Sequence, residues 1–240
     1  MASENKGLVL VVGGARGIGA QVSSLLAGKG YIVAIADKEE EVARDLAAKL
    51  ANENSKVGSY RMDVTSKTEV EAVVSQIEQD YGTISHLVYS AGVLRMGNLH
   101  SISIDAWEES FAVNVSGLFY VVRALSSSFM KTGRGASVVT IASNAAKLPR
   151  MNMGAYAPSK AAAAMATKCL GLELAAYGVR CNIINPGSTK TQMLESMDGS
   201  DEFIDELLSG SLKQFKTGIP LQKLGEPNDI AELAVFYYQI

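Results

Sequence analysis

The sequence predicts an α/β fold, a single-domain doubly wound parallel sheet of the Rossmann type, with helices on both faces in three layers. Three observations predict it. Short apolar runs alternate with helix-length amphipathic segments from residue 8 to residue 184, the rhythm of repeated βαβ units. The first run, 8–12, is apolar at every position, as a strand buried on both faces should be. A glycine-rich turn carrying Gly13, Gly14, Gly17 and Gly19 joins that run to the first helical segment.

The elements follow in order. Residues 8–12 are the first strand and 17–29 the first helix. Residues 31–36 form the second strand, and the charged stretch 39–51 the helix behind it. Strand 57–62 precedes helix 65–80, and strand 86–90 precedes a long helix or helix pair over 104–130. Strand 137–141, helix 156–177 and strand 179–184 complete the alternation. Residues 189–223 break the rhythm; rich in Met, Ser, Asp and Gly, they are expected to form a helical substrate lid over a site. A last helix begins near Pro227. No linker or repeat divides the chain, so 1–240 is expected to be one domain.

Composition narrows the function. The chain is 48% hydrophobic and 20% charged, ordinary for a globular protein and sufficient for a large core. Its net charge of −3 leaves no basic surplus to neutralise phosphates, which argues against a nucleic-acid partner. No apolar run reaches the roughly 20 residues of a membrane span, and the N-terminus lacks a signal pattern. A cytoplasmic protein with no membrane partner is expected. Cys169 and Cys181 read as small core residues in a reducing compartment. His86 and His100 stand apart from any ligand spacing, so no metal site is expected.

Two motifs carry chemistry. Glycine at the strand-to-helix turn lets the backbone approach a pyrophosphate, which then sits on the helix N-terminus; Gly13, Gly17, Ile18 and Gly19 are the contact candidates. Asp37 closes the second strand, where a carboxylate accepts from adenosine ribose hydroxyls and repels a 2′-phosphate. Arg16 and Lys38 pull the other way, since either could pair with that phosphate. Asp37 occupies the phosphate's place, so NAD is the expected cofactor. Asp63 and Val64 are placed to reach the adenine edge, and Ala91 and Gly92, after Ser90, to let a cofactor lie against the backbone. The second motif is Tyr156 and Lys160, four residues apart at a helix start. Such positions lie on one helix face, roughly 5–6 Å apart at Cβ. A free phenol with a pKa of about 10 is a poor base at neutral pH, and a neighbouring ammonium can lower that value.

With Gly13, Gly17, Ile18 and Gly19, Ala91-Gly92, Asn114, Ser143, Tyr156 and Lys160, and Pro186-Gly187 in this order and spacing, the chain resembles the classical short-chain dehydrogenase/reductases from about Lys6 to its last residue. Segments 91–97, 111–115, Pro149-Arg150, 171–175, 178–182, 186–189 and 214–221 are similar to the 2,3-dihydro-2,3-dihydroxybenzoate dehydrogenase family, which makes the catechol acid of siderophores. Val12 stands where the superfamily usually has threonine and Ser90 where it has asparagine. The family continues beyond the helix begun near Pro227 into a last strand, so the C-terminal strand is expected to be missing from this sheet.

The resemblance implies roles. Tyr156 would be the general acid/base, and Lys160 would lower its pKa and hold the nicotinamide ribose. Ser143 would bond the reacting oxygen, and Asn114 would hold a water linking Lys160 to solvent. Thr189 and Thr191, after Pro186 and Gly187, would hold the nicotinamide carboxamide, with Thr191 as a plain helix cap the competing role. The implied substrate is a small carboxylated cyclohexadiene diol, oxidised by NAD to an aromatic acid. Arg95 and Arg150, each in a loop leaving the carboxyl end of a strand, are candidates for its carboxylate, and equally for solvated surface charges. Met151, Met193 and Met197 would supply an apolar wall or generic packing. Alternatives are oxidation of another alicyclic alcohol or ketone by the same superfamily, or dinucleotide binding without catalysis. Helices 104–130 and 156–177 resemble those on which the family builds dimers or tetramers.

Overall fold

The computed structural model describes residues 6–52, 55–198 and 200–238. The termini of the expected 1–240 domain and position 199 of the expected lid lie outside the described residues. The main elements are β1 (Leu8–Val12), α1 (Gly17–Gly28), β2 (Ile32–Asp37), α2 (Glu40–Leu50), β3 (Val57–Arg61), α3 (Lys67–Tyr81) and β4 (Ile84–Tyr89). They continue through α4 (Ile104–Phe111), α5 (Gly117–Thr132), β5 (Ser137–Ile141), α6 (Tyr156–Leu174) and β6 (Arg180–Ile184). The last part holds α7 (Gln192–Glu195), α8 (Asp201–Ser209), β7 (Gly210–Ser211), β8 (Lys216–Thr217) and α9 (Pro227–Phe236).

Strands β1 to β6 form one sheet in the order β3-β2-β1-β4-β5-β6, and every pairing is parallel. The chain winds outward from β1 to β3, returns to β4 beside β1, and winds outward the other way. That reversal between β1 and β4 opens a crevice at the carboxyl ends of the strands, where such sheets bind ligands. Alternation along β1 supplies both faces. Leu8, Leu10 and Val12 pack with Tyr89, Leu118, Val121 and Phe129 on one side. Val9 and Val11 pack with Val22, Leu26, Val139 and Ala231 on the other. Successive side chains of a strand point to opposite faces, so a strand buried twice must be apolar throughout. Each such side chain contributes about 1.5–3 kcal/mol of burial.

The expected long helix over 104–130 is two helices joined by a π-helical turn over residues 112–116. A carbonyl displaced from the regular helical ladder needs another donor. The Tyr89 hydroxyl donates to Val113 O at 2.6 Å. The turn thereby hangs on β4, and Asn114 lies in its middle, 1% exposed.

Residues 189–223 hold α7, α8 and a small antiparallel hairpin, β7–β8. The segment is tied at its base: Lys190 N donates to Gly225 O at 2.9 Å, and Gly225 N to Ser188 O at 3.0 Å. Beyond it α9 starts with Pro227 in its first turn and a reciprocal cap between Glu226 and Asp229. It packs against α1, where Gln21 Nε2 donates to Asn228 Oδ1 at 3.0 Å. Among the described residues no strand pairs with the outer edge of β6. The expectation of two core cysteines is corrected for one of them: Cys169 is exposed on α6, because its position faces away from the sheet, whereas Cys181 in β6 is half-buried and packs against the core.

Candidate active site

A cavity of about 790 Å³ runs along the carboxyl ends of the strands, from the glycine turn to the wall made by residues 189–216. At one end lies the turn after β1. Gly13 has φ +70, and a Cβ there would stand 2.5 Å from Ala91 N. A Cβ on Gly19 would stand 2.0 Å from Gly13 O. Only glycine lets the turn close this tightly against both the β4 loop and the start of α1. Gly13, Gly17 and Ile18 line the cavity, with Ala91 and Gly92 across from them. Gly19 does not; its place is structural, beneath the turn. Ser90 N donates to Val12 O at 2.8 Å, so the two positions that depart from the family pattern are joined through backbone. Open backbone at a helix N-terminus, in a crevice of this size, fits a dinucleotide pyrophosphate.

Asp37 ends β2 on the cavity wall. Its Oδ2 accepts from Ala15 N and its Oδ1 from Glu39 N, both at 3.1 Å, which fixes the carboxylate beside the glycine turn. Arg16 is engaged by Glu39: its Nε donates at 3.0 and 3.1 Å and its Nη2 at 2.8 Å. That pairing raises the Arg16 pKa and lowers that of Glu39. Sequence reading weighed Arg16 against Asp37 and missed Glu39, which neutralises the arginine. The signal was present as a second acid beyond the strand, but pairing across 23 residues is not readable from order alone. Lys38, Asp63 and Val64 line the same end. Asp63 Oδ1 accepts from Thr65 N at 2.9 Å and Thr65 Oγ1 at 2.7 Å, which holds its carboxyl below the usual range.

Ser143, Tyr156 and Lys160 meet near the middle of the cavity. Ser143 follows β5 and caps a short 3-10 turn, its Oγ accepting from Ala145 N at 3.1 Å. Tyr156 begins α6 beside Ser143, which is near enough to favour the ionised phenol. Lys160, one turn on, is 5% exposed and donates from Nζ to Ile141 O at 3.0 Å. Burial pushes its ammonium down to about 8. Burial raises the Tyr156 phenol, and the Ser143 hydrogen bond opposes that rise. Lys160 Nζ stands 5.9 Å from the centre of the Tyr156 ring, where its charge is expected to favour the phenolate.

Asn114 sits behind this group rather than on the cavity wall. Its Oδ1 accepts from Val93 N at 2.9 Å, and its Nδ2 donates to Val93 O at 3.0 Å and to Ser159 Oγ at 2.8 Å. Both amide protons are thereby used, and one lone pair remains on Oδ1. A Cβ on Gly92 would stand 3.0 Å from Lys160 Nζ and 3.2 Å from Asn114 Oδ1, so the three are immediate neighbours. Ser159 was not anticipated; its helical position looks like any other serine's.

The far end is lined by Arg150, Met151, Met193 and Met197. Pro186, Gly187, Thr189 and Thr191 form the floor between. Thr191 also caps α7, accepting from Leu194 N at 3.4 Å, so the competing role is present alongside the cavity-facing one. Arg95 is not on the wall. Its Nε and Nη2 donate to Glu109 at 2.5 and 2.6 Å, which holds it on the surface. Sequence reading missed Gln214 and Lys216 of the hairpin, which line the cavity opposite Arg150.

Comparison with known proteins agrees with this geometry. The short chain dehydrogenase family matches residues 7–201. The 2,3-dihydro-2,3-dihydroxybenzoate dehydrogenase of Bacillus subtilis is 43% identical, over 95% of this chain and 87% of that protein. The vibriobactin-specific 2,3-dihydro-2,3-dihydroxybenzoate dehydrogenase of Vibrio cholerae is 40% identical, over 95% of this chain and 87% of its own length. A crystal structure of 3-ketoacyl-(acyl-carrier-protein) reductase from Brucella melitensis, complexed with NADH, superposes with a TM-score of 0.84 at 24% identity, covering 97% of this chain and 90% of that one, and shares the fold. Match and architecture together place the chain in the short chain dehydrogenase family.

Proposed function

We propose that this NAD-dependent oxidoreductase oxidises 2,3-dihydro-2,3-dihydroxybenzoate to 2,3-dihydroxybenzoate for catechol siderophore biosynthesis. The observation that carries the reading is the convergence of Ser143, Tyr156 and Lys160 in one cavity whose far end presents Arg150. The likeness to two dehydrogenases of that name supports it.

When bound, NAD supplies the hydride acceptor at its nicotinamide ring. The chain's residues bind, orient and move the proton. Asp37 holds the adenosine ribose, Asp63 and Val64 the adenine, and the glycine turn the pyrophosphate. Thr189 and Thr191, beside Pro186 and Gly187, hold the nicotinamide end. Ser143 donates to the reacting substrate oxygen, and Tyr156 takes the hydroxyl proton as general base. Before substrate enters, the Ser143 hydroxyl favours the phenolate over what burial alone allows, and with substrate bound its single proton turns to the reacting oxygen. Below about pH 8 Lys160 carries a positive charge beside that phenolate, and it reaches the ribose hydroxyls. Asn114 receives a relay water on the free lone pair of Oδ1, since its amide protons are committed. Loss of hydride and proton leaves a ketone that tautomerises to an aromatic ring, so the oxidation runs downhill. Arg150 meets the substrate carboxylate, Met151 covers the ring, and residues 189–223 act as the lid.

Assembly is proposed to be a dimer or tetramer built on α5 and α6, whose outward faces expose Phe119 (56%), Met165 (57%) and Leu172 (81%). Apolar faces of this kind favour partner helices. A cytoplasmic setting is proposed on the two free cysteines. The test of the reaction is product identification: incubation with NAD and the dihydrodiol should yield 2,3-dihydroxybenzoate one-to-one with reduced cofactor on chromatography. Recovery of unchanged diol would refute it.

A further inference from the structure

We propose that Lys216, carried on the β7–β8 hairpin, closes with Arg150 on the carboxylate of the substrate and is the residue by which the lid selects an acid over an uncharged diol. The proposal rests on the reading of the substrate as a carboxylated diol, and names the second group of its anion subsite.

The cations of the cavity differ in what they already hold. Arg16 is paired with Glu39, and Lys160 is bonded to the Ile141 carbonyl. Arg150 and Lys216 line the far end, and neither forms an ion pair among the described residues. Lys38, also on the wall, forms no ion pair among the described residues either, so what sets Arg150 and Lys216 apart is that they stand together at one end, each within reach of the other's charge. Burial, and after it the Arg150 charge, lowers the Lys216 pKa; Glu206 on α8 acts the other way and does not cancel them. Asp198 also lines this end, as an exposed side chain. Two like charges in a partly desolvated space raise each other's free energy, and an anion between them reverses the sign.

The hairpin is built to hold Lys216 there. Gly210 and Gly218 form its base, and a Cβ on either would stand 2.5 Å from Gly218 N or 2.3 Å from Leu208 O. Ile219 N donates to Leu208 O at 2.7 Å, pinning the returning strand to α8. At its tip Phe215 has φ +49 although its side chain is 90% exposed. A bulky residue in the left-handed region is strained, and no packing of this exposed ring offsets the strain. The conformation instead sets its neighbours: Gln214 and Lys216 both face the cavity while Phe215 faces outward. Gln214 adds an amide donor beside the ammonium. A planar carboxylate can thus be taken by the Arg150 fork on one side and by Lys216 on the other.

The test is calorimetric binding of 2,3-dihydroxybenzoate and of catechol to the full chain saturated with NADH, in wild type, Lys216→Met and Lys216→Arg. Wild type should prefer the acid. Lys216→Met should weaken acid binding on the order of 10- to 100-fold, with catechol and NADH affinities within about 3-fold of wild type, and Lys216→Arg should restore most of the loss. Lys216→Glu, a second substitution at the same position, should invert the preference toward catechol. If wild type prefers the acid and both Lys216→Met and Lys216→Glu keep that preference, the role of Lys216 is overturned while the substrate reading stands. If wild type shows no preference for the acid, the substrate reading fails and the subsite with it.

Discussion

Tyr156 and Lys160 share one face of α6, yet the Lys160 ammonium lies 5.9 Å from the centre of the phenol ring and donates instead to Ile141 O at 3.0 Å. The pair is thus held by β5 as well as by the helix. The cation stands beside the phenol, and the Ser143 side chain is the group that opposes the effect of burial on it. Each residue can therefore be tested separately.

Tyr156→Phe removes the proton acceptor and little else, since the ring keeps its place at the start of α6. NAD affinity by fluorescence titration should stay within about 3-fold, while kcat should fall by at least about 100-fold, the scale of a lost general base. Near-normal kcat would remove Tyr156 from the mechanism.

Burial raises the Tyr156 pKa and the Ser143 hydrogen bond lowers it, so the phenolate is scarce at neutral pH and grows as pH rises. The oxidation rate should climb with pH above neutrality, approaching tenfold per unit. In Ser143→Ala the lowering influence is gone, and the rise should move to higher pH. A profile in Ser143→Ala that coincides in shape and midpoint with wild type would contradict the assignment.

Lys160 carries its burial cost in stability. Its folded pKa is lowered to about 8 from 10.5. Below about pH 8 both states hold the proton and the full cost of a buried ammonium is present. As pH rises toward 10.5 the folded state sheds its proton first, so this group's contribution to stability increases across that window. The conversion of such a shift gives about 3 kcal/mol. Urea denaturation should show Lys160→Met gaining most over wild type near neutral pH, with the difference shrinking by pH 10. A pH-independent difference would refute the buried charge.

Glu39 occupies Arg16 at the edge of the ribose site. Glu39→Gln should free the arginine and raise NADP affinity by about 3- to 10-fold, the scale of an exposed ion pair redirected to a phosphate. Asp37 stays in place, so NAD should remain the tighter ligand. Competitive binding measurements decide it, and unchanged NADP affinity would show the pair to be incidental.

Arg150 lines the cavity and Arg95 does not. Arg150→Ala should raise KM for the carboxylated diol about 10-fold or more and leave an uncharged alicyclic diol within about 2-fold. Arg95→Ala should change neither. Steady-state kinetics on both substrates would expose an equal effect, which would count against a carboxylate contact.

How much of this was readable in the chain depends on the range of the interaction. The alternation of strands and helices follows from apolar runs and the glycine turn, because strand burial and tight turns impose local residue types. Positions of Gly13, Asp37, Ser143, Tyr156 and Lys160 followed from spacing and resemblance, since each sits at the end of a strand or the start of a helix. What escaped was choice of partner. Arg95 resembled Arg150 in its loop, and only the fold shows that Glu109 holds one while the other has no ion pair among the described residues. Glu39 and Lys216 looked like surface charges because their partners lie far along the chain. The π-helical turn has no periodic signature; it depends on the Tyr89 hydroxyl reaching Val113. Cys169 read as core from its residue type, although its helical position faces away from the sheet.

The most direct measurement is the near-ultraviolet absorbance of reduced nicotinamide when the chain is mixed with NAD and 2,3-dihydro-2,3-dihydroxybenzoate. The expected result is a steady rise that is absent in Tyr156→Phe and much weaker with an uncharged diol. No rise with the carboxylated diol, or an equal rise with the uncharged one, would contradict the proposed activity.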